Sequence, residues 1–285
     1  SFQAERIDCA RTATSKGELM VGSVGTKSGR SEWIEAREEA LRDPYGWLSL
    51  VELKWLDGAP TPLSHFPGLW EATGDDVTFT PEKGGSSVFQ GDQLVTEPLT
   101  IKVKPGTSDR SLRDQDGREA EVMSRFGLPA VRVRDPRANR LAGFDGLDRY
   151  DFDPTWVLRG RLLRFEEPRQ QQVGTAVEGK TAKLQAWANA EVSLPNGDVA
   201  HLVVTGDLES PQVLFYDQTN GDGTPEWRKV QAALDGETVV LDMNQAQIFP
   251  AHLSPFGTCP KPPEQNRIPM PVLAGEKKFA GKDMQ

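Results

Sequence analysis

Leu184-Gln-Ala-Trp-Ala-Asn-Ala-Glu-Val-Ser-Leu194, Pro195-Asn-Gly-Asp198 and Val199-Ala-His-Leu-Val-Val-Thr205 follow one another without a break. Asn196 and Gly197 both accept positive φ, which fits a tight hairpin turn to the right-handed twist of the strands it joins. The stretch is therefore predicted to be an antiparallel pair. Comparable runs stand on either side: Val77-Thr-Phe79, Leu99-Thr-Ile-Lys-Val103, Ala130-Val-Arg-Val-Arg134, Trp156 to Phe165, Val213 to Tyr216 and Val239 to Met243. They are β-branched or aromatic, many alternate, and Gly, Pro, Asn or Asp separates them. Such spacing predicts a mainly β protein, an antiparallel sandwich or barrel. Two β subdomains sharing a core are expected, with one N-terminal helix and a Pro-rich C-terminal strap.

Outward from that hairpin, three divisions are read. Residues 1–30 are polar and Gly/Ser-rich and are taken as a surface arm. Residues 31–168 hold the helix and the first β subdomain, and residues 169–285 hold the second with the strap. The polar stretch Glu166 to Val173 is the soft boundary. Ser31-Glu-Trp-Ile-Glu35 offers a capping Ser and early acids before an apolar stripe, and Pro44 ends that helix. A second helix is predicted after Thr224-Pro-Glu226, through Trp227 to Leu234.

The 285 residues are 37% hydrophobic and 26% charged, which is globular composition and enough chain for a substantial core. The net charge of −9 and the lack of a Lys/Arg block argue against nucleic acid and anionic membranes as partners. No apolar run approaches the roughly 20 residues of a membrane helix. There is no βαβ alternation, Gly-x-Gly-x-x-Gly or P-loop, so no nucleotide cofactor is expected. Cys9 and Cys259 are read as two separate thiols in a reducing compartment, the alternative being a staple between arm and strap. Ser1 to Thr14 lack the pattern of a secretory signal, and a cytoplasmic protein is the expectation.

Two stretches carry a family pattern. The first is Trp33-x-x-x-Arg37 followed by Pro44-Tyr-Gly-Trp-Leu-Ser-Leu-Val-Glu-Leu-Lys-Trp-Leu-Asp-Gly58. The second is Leu241-Asp-Met-Asn244, then Cys259-Pro-Lys-Pro-Pro-Glu-Gln-Asn266-Arg-Ile-Pro-Met-Pro, then Ala274-Gly-Glu-Lys277. With Phe215-x-Asp217-x-Thr219 and Arg132-Val-Arg134-Asp135, the chain resembles the domain-of-unknown-function family 1684. The resemblance implies no chemistry. It points to Asp242, Asn244, Asn266 and Glu276 as retained positions. The family's Arg, Tyr and Cys after that Asp are replaced by Gln245, Gln247 and Ala251, and its Thr-Tyr-Gly-x-Gly-Arg segment reads Thr224-Pro-Glu-Trp-Arg-Lys229.

Among candidate residues, Asp242 and Asn244 project from one face at a strand end, where Asp242 could serve as a general base. The alternative is that they satisfy backbone groups of the coil downstream. His252 is the simplest acid–base partner for Asp242. Asn266 and Arg267 are expected to be presented outward by the prolines around them and to bind substrate with Asn244. Arg132 and Arg134 share a strand face, as do Arg159 and Arg161. Either pair could clamp an anion or simply face solvent. Trp227 and other tryptophans either line a pocket or fill the core. Asp217 to Glu226 is oxygen-rich but mismatches a calcium loop, and the three histidines stand in unrelated contexts, so no metal is expected. Two readings stand. One is a small-molecule enzyme using neither metal nor nucleotide cofactor, performing isomerisation, cyclisation or hydrolysis by acid–base chemistry in a β-walled pocket. The other is a non-catalytic ligand-binding or structural β protein.

Overall fold

The computed structural model describes residues 24–207 and 209–283. Helix α1 (Lys27–Leu41) starts four residues before the predicted Ser31 because Thr26 is the cap, its Oγ accepting from the Gly29 amide at 3.0 Å. The arm expected over residues 1–30 thus already contains the first helical turn, and its residues 1–23 lie outside the described residues. A 3-10 turn at Trp47–Ser49 leads into ten strands. They are β1 (Leu50–Trp55), β2 (Thr61–Pro62), β3 (Leu69–Thr73), β4 (Asp76–Thr80), β5 (Val88–Gln90), β6 (Gln93–Leu94), β7 (Leu99–Lys102), β8 (Ser108–Asp114), β9 (Glu119–Arg125) and β10 (Leu128–Arg134). One antiparallel sheet has the order β1-β10-β9-β8-β5-β6 and a second the order β2-β3-β4-β7. Trp70, Val77, Phe79 and Ile101 of the small sheet meet Leu112, Val122, Val131 and Val133 of the large one in a shared core. This is a sandwich.

After α2 (Asn139–Ala142), the second body is built from β11 (Val157–Gly174), β12 (Thr181–Ser193), β13 (Val199–Gly206), β14 (Pro211–Phe215), β15 (Arg228–Asp235), β16 (Thr238–Asp242), β17 (Gln247–Ile248) and α3 (Pro250–Leu253). The ladder runs β14-β13-β12-β11-β16-β15, and β14 also pairs with β15, so these six strands close on themselves. Leu158, Val192, Leu202, Val213, Val230 and Leu241 point inside this barrel, and Ile268, Val272 and Ala274 of the Pro-rich strap join the same cluster. Strand closure is what removes exposed edges here. The barrel interior is filled by these side chains.

The hairpin at Asn196-Gly197 is present, with Ser193 opposite Val199, but only Gly197 takes positive φ, at 90°, while Asn196 does not. The helix predicted over Trp227 to Leu234 is instead β15. Arg228, Val230 and Ala232 alternate into the interior against β14 and β16, and that two-sided pairing overrides the local Thr-Pro-Glu helix signal. The polar stretch Glu166 to Val173 runs inside β11, whose pairing with β12 shifts register between Arg164 and Arg169. Sheet membership changes earlier, between Arg134 and Val157.

Cys259 is disulfide-bonded, contrary to the expectation of two separate thiols. Cys9, its partner in the staple alternative, lies outside the described residues. Among the described residues no helix is long and apolar enough to cross a membrane.

Candidate functional site

The strap cannot join a ladder, because its prolines lack amide donors. Side chains fasten it instead. Strands β13 and β14 pair only at Thr205–Gln212 and Gly206–Pro211, which leaves Val203 and Leu214 facing a gap. Asn266 fills the gap: its Oδ1 accepts from the Val203 amide at 2.7 Å, and its Nδ2 donates to the carbonyls of Val203 at 3.0 Å and Leu214 at 2.7 Å. It is fully buried, not presented outward as expected. Buried Arg228 donates to the carbonyls of Val272 at 2.9 Å and Ala274 at 2.5 Å, and to Asp217 at 2.9 Å. Asp217 also accepts from the amides of Thr219 and Val272, so the Asp217 to Glu226 segment is a turn that docks the strap.

Asp242 and Asn244 form the same kind of fastening. Asp242 Oδ1 accepts from the backbone and side-chain nitrogens of Asn244 at 3.1 and 3.0 Å, and Oδ2 accepts from the Gly25 amide at 2.9 Å. Asn244 exchanges bonds with both the amide and the carbonyl of Asp153. Glu276 takes Arg37 at 3.0 Å, Arg149 at 3.5 Å and the Ile248 amide at 2.8 Å. Every polar side-chain atom of Asp242, Asn244, Asn266 and Glu276 is thereby engaged.

His252 is not brought to Asp242. Its ring stands edge-on to Trp227 with centroids 4.3 Å apart, and burial followed by the charges of Lys282 and Lys261 pushes its pKa down to about 3. Trp227 is buried, packs on Phe249 and carries Lys261 over its ring. Arg267 is exposed, pairs with Glu264 at 2.8 Å and stacks on Tyr216. Arg132 and Arg134 are buried, and the anion they clamp is the protein's own Glu121, at 3.0 and 2.7 Å. Burial works to raise the Glu121 pKa, but the two guanidinium charges hold it at about 2. Both guanidinium groups lie over Trp47, 5.3 and 5.5 Å from its ring. Arg159 and Arg161 are exposed, the solvent-facing outcome.

Two sets of residues that sequence reasoning passed over are more open chemically. The first is at the seam between sandwich and barrel, on the outward face of β15. Lys229 there has neither an ion pair nor a hydrogen bond to the described residues, and its amine lies 5.4 Å from the centre of the Phe249 ring. Burial first, then the Arg37 charge, pushes the amine down to about 7 against the opposing Glu276. Its ladder partner is Gln247, whose buried Oε1 has no partner among the described residues. Reading Arg228 to Asp235 with a period of two would have placed Lys229 off the barrel core.

The second is a cavity of 230 Å³ between β1 and α2, walled by Leu50, Leu53, Glu52, His65, Arg140 and Phe256. Glu52 accepts from the amides of Ser64 at 3.0 Å and His65 at 2.8 Å, and its Oε2 faces His65 Nδ1 at 3.2 Å. A carboxylate held this way keeps the proton on Nδ1 and leaves Nε2 as the acceptor nitrogen. Arg140 is buried and donates to the carbonyls of Lys282 at 2.9 Å and Leu50 at 2.7 Å, leaving Nη2 without a partner among the described residues. Glu52 and His65 are thirteen positions apart in the chain, and no local spacing reveals their meeting.

Residues 142–277 match the model of a family described as Protein of unknown function (DUF1684). The match takes in the barrel and strap. It leaves out Trp33 to Gly58 and the Arg132 strand, which also enter the resemblance. Of the residues named in the cavity wall, only Phe256 falls within it. Among solved structures, the chain is similar to the solution NMR structure of an uncharacterized protein from Haloarcula marismortui, with 25% identity over 48% of this chain and 78% of that one and a TM-score of 0.40. No curated protein matches the chain.

Proposed function

We propose, from the premise that residues 142–277 belong to this family of proteins of unknown function, that the chain acts on a small organic acid by proton abstraction, the opening step of an isomerisation or cyclisation. The family brings no activity with it, so the reading rests on the chain's own chemistry. One observation carries it: the His65–Glu52 pair and Arg140, whose Nη2 makes no hydrogen bond to the described residues, line a single cavity of 230 Å³. In this reading His65 Nε2 takes the proton, Glu52 fixes the imidazole and balances the charge it gains, and Arg140 Nη2 holds the substrate carboxylate. The apolar walls from β1 and Phe256 favour a compact organic body over a hydrated one. Both carboxylate oxygens of Asp242 are already bonded to Gly25 and Asn244 and the group is buried, so the base is assigned to His65.

The test is proton exchange in deuterated water, followed by NMR over a panel of small 2-oxo and 2-hydroxy acids. The wild-type protein is expected to exchange the proton next to the carboxyl-bearing centre of at least one of them. His65→Gln should slow that exchange by about 10²–10⁴-fold, the usual worth of a positioned base. Exchange at the buffer rate throughout, or undiminished exchange with His65→Gln, refutes the reading.

The fully engaged clamp supports a second reading, a non-catalytic ligand-binding protein in which the C-terminal motif fastens the barrel and takes no part in chemistry. Calorimetry that finds an acid bound with no exchange decides for that one.

A further inference from the structure

We infer that Lys229 is a nucleophilic amine that captures a small aldehyde or ketone as an imine at the seam between sandwich and barrel. The inference is independent of the cavity at His65. Lys229 leaves β15 on the face opposite Arg228 and Val230, and the side chain is 4% exposed. The nearest carboxylate with an electrostatic effect on it, Glu276, is held by Arg37, Arg149 and the Ile248 amide, so the amine has no counter-ion. An ammonium in that position is largely cut off from water and has no anion bonded to it, so its neutral form is favoured. The charge of Arg37 acts in the same direction.

The surroundings suit a carbonyl compound. The Phe249 ring lies beneath the amine, and Trp227 continues the aromatic wall. Gln247, opposite Lys229 in the ladder, has a buried and unpartnered Oε1 that can accept from a hydroxyl. The amine nitrogen bonds to the carbonyl carbon while the π pair moves to oxygen, which takes a proton, and the nitrogen releases one. The resulting carbinolamine donates its hydroxyl to Gln247. The C–O bond then breaks, water departs with a second proton from nitrogen, and the imine remains. Carbonyl plus amine gives imine plus water, and nothing is oxidised or reduced. Amines with a depressed proton affinity in apolar sites are the lysines that do this chemistry.

The experiment treats the intact protein at pH 7 with propanal or with pyruvate in the presence of cyanoborohydride, which reduces an imine to a stable secondary amine. Peptide mapping then compares Lys229 with exposed Lys54. An ordinary lysine is neutral in only about one molecule in 2,500 at that pH, so Lys229 is expected to react about 10–100-fold faster. Unfolding the protein in urea should erase the difference. Lys229→Met replaces a buried amine by an apolar side chain of similar length, keeps the fold and loses only the fast adduct. Labelling of Lys229 no faster than Lys54 overturns the inference, as does a fast adduct that survives Lys229→Met.

Discussion

Asp242 and Asn266 show how a buried polar residue can engage its whole side chain with the protein's own backbone and side chains. In Asp242→Asn an amide nitrogen must face either the Gly25 amide or Asn244, and a donor is left without an acceptor. We expect a loss of about 1–3 kcal/mol of unfolding free energy, read from the urea midpoint. An unchanged midpoint would contradict the fastening role. Acid should be felt through two other residues. His252 titrates at about 3 in the folded chain against 6.5 normally, so the unfolded chain holds a proton that the folded one lacks. Its contribution is present above pH 6.5 and is lost as pH falls from 6.5 to 3. Glu121 lies at about 2 against 4.5, and its contribution disappears between pH 4.5 and 2. Denaturation midpoints should therefore decline in two overlapping stages, and His252→Leu should flatten the upper one. A mutant profile parallel to wild type from pH 6.5 down to 4.5 counts against this account. The family pattern around Asp242, Asn244 and Asn266 was legible in the sequence. Their role was not, because a clamp and a catalytic site ask for the same residue types. Lys229 and Gln247 meet only through the pairing of β15 with β17, which no local pattern encodes.

At the level of elements, the Asn196-Gly197 hairpin was readable because turn chemistry and alternation are both local. Strand β15 was not. Its first residues imitate a helix start, and its strand character comes from β14 on one side and β16 and β17 on the other. The same long-range pairing explains Gly160. It sits in β11 between Val192 of β12 and Val239 of β16, and a Cβ there would come within 1.8 Å of the Glu191 carbonyl oxygen. Gly160→Ala is expected to lower stability by about 3 kcal/mol, the upper end of overpacking effects. It should also weaken protection of the β11 and β12 amides in hydrogen exchange. Protection equal to wild type along both strands would show that the close approach is relaxed at no cost.

For the whole molecule, sandwich or barrel were the alternatives expected of two subdomains sharing a core; instead one body is a sandwich and the other a barrel, each with its own core. Their seam is where charge and aromatic surface accumulate: Arg132 and Arg134 over Trp47 on one side, Lys229 beside Phe249 on the other. Charged pairs at strand spacing read as solvent-facing or as clamps, and only contacts distant in sequence, to Glu121 on β9 and to Tyr45, Gly46 and Trp47, decide for Arg132 and Arg134. The plug formed by Ile268, Val272 and Ala274 adds a constraint in time. A polypeptide emerging from the ribosome can lay down every strand of the barrel and still have an open end, because the residues that stopper it are made after all of them. Until then, the greasy interior is on offer to chaperones and proteases. A premature stop anywhere before Ile268 should yield a product that is degraded rather than one that is merely shorter.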